Sequence, residues 1–535
     1  MNGRGGPSLE DLFFAESPDE EKTMAIVTAV ETGPEARRRL ALSNPANLEP
    51  IGEIEVAHAA DAVAAVERAR KAQTAWASLS IPERSRYMIR ALEALLARQD
   101  EVIETVMRET GKPRTEALQM EVYAVGDALN FYAKKAAKIL KPQSRRLHGM
   151  MRFMKSLRIV YRPLGVVGVI SPWNGPFVLA MNPTIQALMA GNAVILKPSE
   201  VTPFSGLLAA EIFADAGLPE GLFQILTGDG ETGAALCRAG VDKVSFTGSV
   251  ATGRKVAVAC AERLIPCTLE LGGKDAMIVC EDANLDYAAA GAVGGAFMNT
   301  GQYCCGTERV YVVDALADEF VENVVRRVAA LRQGAEGEFD VGAIFWPRQL
   351  EIIESHMEDA RAKGARILTG GRRNPDLKGL FYEPTVVVDV DHDMRLMREE
   401  TFGPILPIMR VKDEEEALRL ANDSPYGLGG NVWTRDVHKG VGLAQQMETG
   451  SVCVNDMTMT YGVQEAPFGG RKDSGVGQVN GEVGLRGYCH AEPILVDRRG
   501  GKMSTQRYPY SQKTDLGMQK FMKFLWGSRF GRRMG

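Results

Sequence analysis

The amino-acid sequence predicts an α/β protein whose parallel sheets are covered by helices on both faces. Three observations predict it. Short β-branched runs alternate with helical segments from Gly165 onward. Fifty-six glycines and many Val/Ala/Gly-rich runs suit tight strand-to-helix turns. At 535 residues and 45% apolar, the chain can fill two or three separate cores.

In chain order, residues 1–40 are acidic and irregular, and a loose extension is expected there. Apolar spacing is helical from Glu83 to Leu140. The segment "RRLHGMMRFMKSLRIVYRP" (145–163) is basic and alternates near its end, which suggests a protruding hairpin. Then "GVVGVI", "NAVILKP", "LFQILTG" and "KVSFTG" read as strands. A helix lies over 202–219, with Thr202 as N-cap and Pro203 in its first position. A second α/β stretch runs from about Gly273 to Gly470. After residue 500 there are eight Lys/Arg and one Asp, a surplus of seven positive charges. The rest of the chain therefore carries −5 less 7, or −12. Leu516, Phe521, Met522, Phe524 and Leu525 mix with Lys520 and Lys523 there, so the tail over 501–535 reads as basic and amphipathic.

Bulk properties exclude several classes. A net charge of −5 gives no reason to expect a nucleic-acid partner. Eight cysteines are too sparse for a disulfide scaffold and fit a reducing, cytoplasmic setting. The start "MNGRGGPSLEDLFF" lacks a basic-then-apolar leader, and no apolar run reaches the ~18 residues a spanning helix needs. No Cys/His cluster has zinc spacing, so no metal is expected. The six histidines are scattered and read as surface or packing residues.

Several strand ends carry polar groups suited to chemistry. "GDGETG" (228–233) spells G-x-G-x-x-G, but a lone match is weak and no acidic residue follows about 20 positions on after a strand. "FTGSVATG" (246–253) is a second phosphate-loop candidate, with backbone N–H groups and Ser249 at a helix start. In "KPSE", Lys197 and Glu200 could hold ribose hydroxyls, and the Glu200 carboxylate would repel a 2′-phosphate. "NTGQYCCGTERV" sets Cys304 beside Cys305 with no histidine near. A thiol with a pKa near 8.5 needs help to react at neutral pH. "LELGGKD" offers Glu270 as a base, on a strand end whose two glycines would leave its carboxylate exposed in a cleft. "SPWNGP" offers the Asn174 amide to a developing oxyanion.

"SPWNGP", "GNAVILKPSE", "FTGSVATG", "LELGGKD", "NTGQYCCGTER", "EETFGP" and "PFGGRKDSGVG" resemble, in order and spacing, the motifs of the aldehyde dehydrogenase superfamily over roughly residues 40–500. The resemblance implies a Rossmann-like NAD domain (41–140 and 163–272), a second catalytic domain (273–470) and a small β oligomerisation element (141–162 and 485–500). It implies Cys304, the cysteine after G-Q-x, as nucleophile, Asn174 as oxyanion donor and Glu270 as general base, with Cys305 a packing neighbour. It matches Lys197 and Glu200 to the adenosine ribose, Gly248 and Ser249 to the pyrophosphate, Glu400 to the nicotinamide ribose and Phe402 to the ring wall. It places Ser171, Trp173, Ser199, Gly230 and Phe246 near the cofactor too. The implied reaction takes an aldehyde to its acid with NAD, NADP being possible, through a Cys304 thiohemiacetal and a thioester that Glu270-activated water hydrolyses.

Many members carry a lysine nine residues after the oxyanion asparagine. Here Pro183 stands there, as in the branch acting on medium/long-chain and aromatic aldehydes, and "RYPYS" and the basic tail look like that branch too. Phe177, Leu179, Met181, Tyr303, Met457, Met459 and Tyr461 are expected to line the substrate funnel without a Lys or Arg, which points to an apolar aldehyde rather than a semialdehyde carboxylate. Glu270 argues against a CoA-acylating enzyme, and the missing histidine against a phosphorylating one. A succinate-semialdehyde-type enzyme and a non-catalytic binding protein are the alternatives. A homodimer or homotetramer is expected, with the tail at a membrane surface, over the active site or a partner surface, or disordered.

Overall fold

The structure is a computed structural model describing residues 26–30, 37–149, 151–498, 508 and 510–534. Two parallel sheets dominate it. The first runs Gly475–Val476, Cys267–Glu270, Lys243–Thr247, Val166–Ile170, Ala193–Lys197, Phe223–Ile225, all parallel except Gly475–Val476. The second runs Arg366–Thr369, Thr385–Val388, Ile405–Val411, Arg309–Val313, Ala276–Val279, Gly430–Trp433, Cys453–Val454, parallel except at Arg366–Thr369. The central strands are buried on both faces, which is why "VVGVI", "AVILK" and "RVYVV" read as continuous apolar runs.

Helices cover the sheets for reasons written locally. Ile81–Ala97 opens with a capping box: the Ser80 hydroxyl accepts from Glu83 N, and the Glu83 carboxylate accepts from Ser80 N at 2.7 Å. Gly111, left-handed, ends Gln99–Thr110, and Pro113 separates it from the next helix. That next helix, 114–139, contains a π-helical segment, Ala117–Tyr123. Val178–Ala190 is mostly apolar and wholly buried, with Asn182, Thr184 and Gln186 enclosed among its apolar side chains.

Two local expectations change. Thr202 is the N-cap residue of Pro203–Asp215, but its hydroxyl does not cap. The buried Glu109 carboxylate takes that place, accepting from Phe204 N, Ser205 N and the Ser205 hydroxyl. Residues 1–25 and 31–36 lie outside the described residues, but the rest of the expected loose extension is ordered: Val27–Val30 pairs with Arg39–Ser43, which pairs with Pro50–Glu55. Alternating burial of Leu40, Leu42 and Ile54 gives that sheet its own small core.

The 145–163 region is a hairpin: Gln143–Arg145 pairs with Lys155–Pro163 across a short helix, Met151–Met154. Cys489–Asp497 then pairs with the whole of Lys155–Pro163. The tail forms two helices, Gln512–Gly527 and Arg529–Met534, that pack on each other. Ser511 caps the first by accepting from Thr514 N. Among the described residues, no helix is long and apolar enough to cross a membrane.

Candidate active site

In open parallel sheets, ligands gather outside the carboxyl ends of the strands, where the winding reverses. In the first sheet that reversal lies between Val166–Ile170 and Lys243–Thr247. Ser171, Lys197, Gly248 and Glu270 all stand at the carboxyl ends of adjacent strands there. The second sheet contributes the loops that precede its strands: Gly273–Asp275, Cys304–Glu308 and Glu400–Pro404.

Cys304 follows a strained turn. Asn299 and Thr300 hold φ of 55° and 56°, and Gly301 holds 71°. For a β-branched residue such as Thr300 this is an outlier, and such strain gathers at functional sites. Gly301 cannot carry a side chain, because a Cβ would run into the backbone of Gly403 in the "EETFGP" loop. Cys304 is half-buried. Cys305 is buried among Leu428, Phe468 and Val479, and its Sγ points at the Thr458 carbonyl, 3.8 Å away. The neighbouring Cys304 thiol and burial both push the Cys305 thiol up.

Glu270 differs from the expectation of an exposed carboxylate. It is buried, and neither carboxylate oxygen has a hydrogen-bond partner. Burial, with the Cys304 charge adding to it, drives its carboxyl well above the usual range. The glycines after it serve other groups: Gly272 clears the Glu400 carboxylate, and Gly273 clears the Cys304 carbonyl. The Asn174 side-chain amide donates to the Gln302 carbonyl at 3.0 Å, so the Asn174 loop and the thiol loop are fastened together.

The cofactor-side residues divide. Lys197 Nζ pairs with Glu200 at 2.9 Å, the lysine buried and the glutamate partly open. The buried Ser171 hydroxyl has no protein partner. Ser249 caps the thirteen-residue helix Val250–Glu262 by accepting from Thr252 N, which leaves the other N–H groups of that first turn unclaimed by it. Glu400 accepts from Gly273 N at 2.9 Å, and burial followed by the nearby Glu308 charge pushes its carboxyl up to about 8. Trp173 stacks edge-on to Phe402, centroids 5.4 Å apart. These groups fit a dinucleotide: hydroxyl partners at two places, a helix start between them and an aromatic wall.

Three others do different work. Ser199 accepts from Val201 N in a local turn. Phe246 is buried in the first core, its ring lying over Gly248, where a Cβ would come within 2.6 Å of it. Gly230 opens a helix already capped by the Asp229 carboxylate, which Arg38 also pairs, so "GDGETG" is a satisfied turn.

Among the expected funnel residues, Tyr303 and Tyr461 are half-buried beside the thiols. Tyr461 packs edge-on against Phe468, and Asn182 donates to its hydroxyl at 3.4 Å. Met459 is exposed, and Met457 packs against Gly294. Phe177 and Met181 present no open wall: both are fully enclosed, and Leu179 nearly so, because their helix is buried all round.

Sequence reasoning missed the buried charges. Lys274 Nζ lies 2.5 Å from Glu308, whose two oxygens accept from Thr401 N and Phe402 N. Lys112 and Glu121 form a second pair, fully buried. His356, one of the packing histidines, lies buried against Thr401, and burial lowers it to about 4.

Two parallel sheets that bring the Lys197–Glu200 pair, the Ser249 helix start and the Trp173–Phe402 wall to their strand ends suit a dinucleotide-dependent enzyme. The sequence profile of the aldehyde dehydrogenase family matches residues 32–494. The chain belongs to that family. It is 42% identical to a 4,4'-diapolycopene aldehyde oxidase of Methylomonas over 461 residues, 86% of each chain. It is 39% identical to a putative NADP(+) succinate-semialdehyde dehydrogenase of Mycolicibacterium smegmatis, covering 83% of this chain and 86% of the relative. An aldehyde dehydrogenase of Mycobacterium tuberculosis, crystallised with NAD+, superposes with a TM-score of 0.83 at 37% identity, over 88% of this chain and 97% of that one.

Proposed function

We propose that this enzyme oxidises an apolar aldehyde to its carboxylic acid with NAD, using Cys304, Asn174 and Glu270. One observation carries the reading: a buried, unpartnered carboxylate lies within electrostatic reach of a half-buried thiol whose loop is fastened to an amide donor. The Cys304 thiolate bonds to the aldehyde carbon as the carbonyl's second electron pair moves onto oxygen. The second N–H of the Asn174 amide and the Cys304 backbone N–H receive the oxyanion, each such donor being worth about 3–4 kcal/mol. When bound, NAD supplies the acceptor for the hydride leaving that carbon. Glu270, made more basic by burial, then takes a proton from the water that cleaves the thioester on Cys304.

Glu200 favours NAD over NADP, since a 2′-phosphate would meet its carboxylate. The relatives' names point both to diapolycopene aldehyde and to succinate semialdehyde. The residues around the thiols, Tyr303, Leu428, Tyr461 and Phe468, offer no cation for a carboxylate and support the apolar choice. An NADH-absorbance screen of decanal, hexadecanal, benzaldehyde and succinic semialdehyde, with NAD and NADP, tests both points. Preference for succinic semialdehyde or for NADP refutes the corresponding half.

The exposed Ile494, Leu495 and Val496 on the strand paired to Lys155–Pro163 support a subunit contact there, in a dimer or tetramer. Eight free cysteines support a reducing, cytoplasmic setting. The first tail helix gathers Lys513, Lys520 and Lys523 on one face, while Phe521, Met522, Phe524 and Trp526 are exposed. That pattern supports peripheral contact with anionic lipid. Flotation with phosphatidylserine vesicles should carry the full chain but not residues 1–500. Equal flotation rules the contact out.

A further inference from the structure

We propose that the buried Lys112–Glu121 ion pair is a positioning device for the oxyanion hole. The pair does not touch the substrate. It holds the backbone on both sides of Asn174. Lys112 Nζ donates to Glu121 Oε1 at 2.8 Å and to the Asn174 carbonyl at 3.2 Å. The other Glu121 oxygen accepts from Phe177 N at 3.1 Å and Val178 N at 2.8 Å, the first turn of the helix that follows Asn174. The Asn174 loop is thus gripped at residue 174 by the cation and at residues 177–178 by the anion.

The thiol loop joins the same device. The Asn299 side chain donates to the Asn174 carbonyl at 3.0 Å and to the Gln302 carbonyl at 2.8 Å. The Asn299 backbone N–H donates at 2.8 Å to Glu116, five residues before Glu121. Glu116 is the N-cap residue of the π-helical segment Ala117–Tyr123, and Glu121 lies within it. Its i→i+5 pattern draws residues five apart toward one face, where a regular α-helix would splay them. One irregular turn therefore supplies the carboxylates that position the amide donor and the turn before the nucleophile.

Stability alone gives little reason to bury this pair. Removing two charges from water is costly, and well-packed apolar replacements are often as stable. Both side chains have no exposed surface, and Lys112 lies 5.4 Å from the Phe345 ring. What an apolar pair could not do is grip a carbonyl and two N–H groups at once.

The proposal rests on Asn174 being an oxyanion donor, so Asn174→Ala is assayed beside it. If Asn174→Ala keeps full activity, the reading of the site fails first. The test of the pair is Lys112→Met/Glu121→Leu, which removes both charges together. We expect kcat and the single-turnover hydride burst to fall tenfold or more. The Kd for NAD and the rate of iodoacetamide alkylation of Cys304 should stay within twofold. Lys112→Met/Glu121→Gln keeps an oxygen for Phe177 and Val178 and should recover part of the loss. Wild-type kcat in both double variants overturns the proposal. So does a matching loss of NAD affinity and thiol reactivity, or failure of both to fold, since each marks a merely structural pair.

Discussion

Gly273→Ala probes the packing of the site most directly. Gly273 has an ordinary backbone conformation, so an added methyl costs no backbone strain. Its Cβ would lie 2.6 Å from the Cys304 carbonyl oxygen, 2.7 Å from Asp275 Oδ1 and 3.1 Å from Leu428 Cβ. A carbon and a carbonyl oxygen settle at about 3.3 Å, so the Cys304 backbone must retreat by roughly 0.7 Å. Overpacking of this size costs about 1–3 kcal/mol. Since 1 Å of misplacement can cost 10²-fold, the rate should fall roughly 10- to 100-fold. The control is Gly442→Ala, in a helix with nothing within 4 Å of the new methyl. It should gain about 0.5–1 kcal/mol and leave activity alone. The assays are initial NADH formation under saturating substrates and thermal unfolding of both variants. A Gly273→Ala enzyme within twofold of wild-type kcat, with an unchanged Tm, refutes the close approach of the two loops.

Cys304→Ala should abolish NADH formation while Cys305→Ala keeps most of it; rapid-quench and steady-state rates decide between the two sulfurs. Glu270→Gln should retain a burst of about one NADH per site and lose steady turnover, while the wild-type rate should fall as pH drops through the raised Glu270 pKa. Glu400, pushed to about 8 from an ordinary 4.5, holds a native-state proton that the unfolded chain releases earlier. That stability is complete below about 4.5 and lost as pH rises through about 8. Wild-type Tm should therefore fall more steeply than that of Glu400→Gln between roughly pH 5 and 8. Glu109→Ala should cost about 1–3 kcal/mol by orphaning two backbone N–H groups, whereas Thr202→Ala should cost under about 0.5 kcal/mol by urea unfolding.

The sheet ends were legible because each pairs an apolar run with a Gly or Pro break: "VVGVISPWN", "AVILKPSE", "VSFTGS", "TLELGG". The choice of Cys304 over Cys305 rests on register, since Gly301 and Gln302 precede it, and the structure adds that Cys305 is buried while Cys304 is only half-buried. The buried ion pairs were not legible. In one sequence Lys112, Glu121, Lys274 and Glu308 look like any surface charge, and only the fold shows that they lie inside. Phe177 and Met181 follow the Asn174 loop in sequence, but both side chains are enclosed in the core rather than open to a funnel. Thr202 was placed correctly in the chain, but its capping role passed to Glu109, 93 residues earlier and invisible to a local pattern.

One short strand has a consequence for synthesis. Gly475–Val476 closes the edge of the first sheet against Leu269 and Glu270. A ribosome adding about 5–20 residues per second needs roughly 10–40 s to travel from one to the other. During that interval the emerging nucleotide domain keeps an open edge at Cys267–Glu270, beside its own prospective base. Such edges recruit foreign strands. Nascent chains halted before residue 475 should therefore depend on chaperones more than the finished protein does.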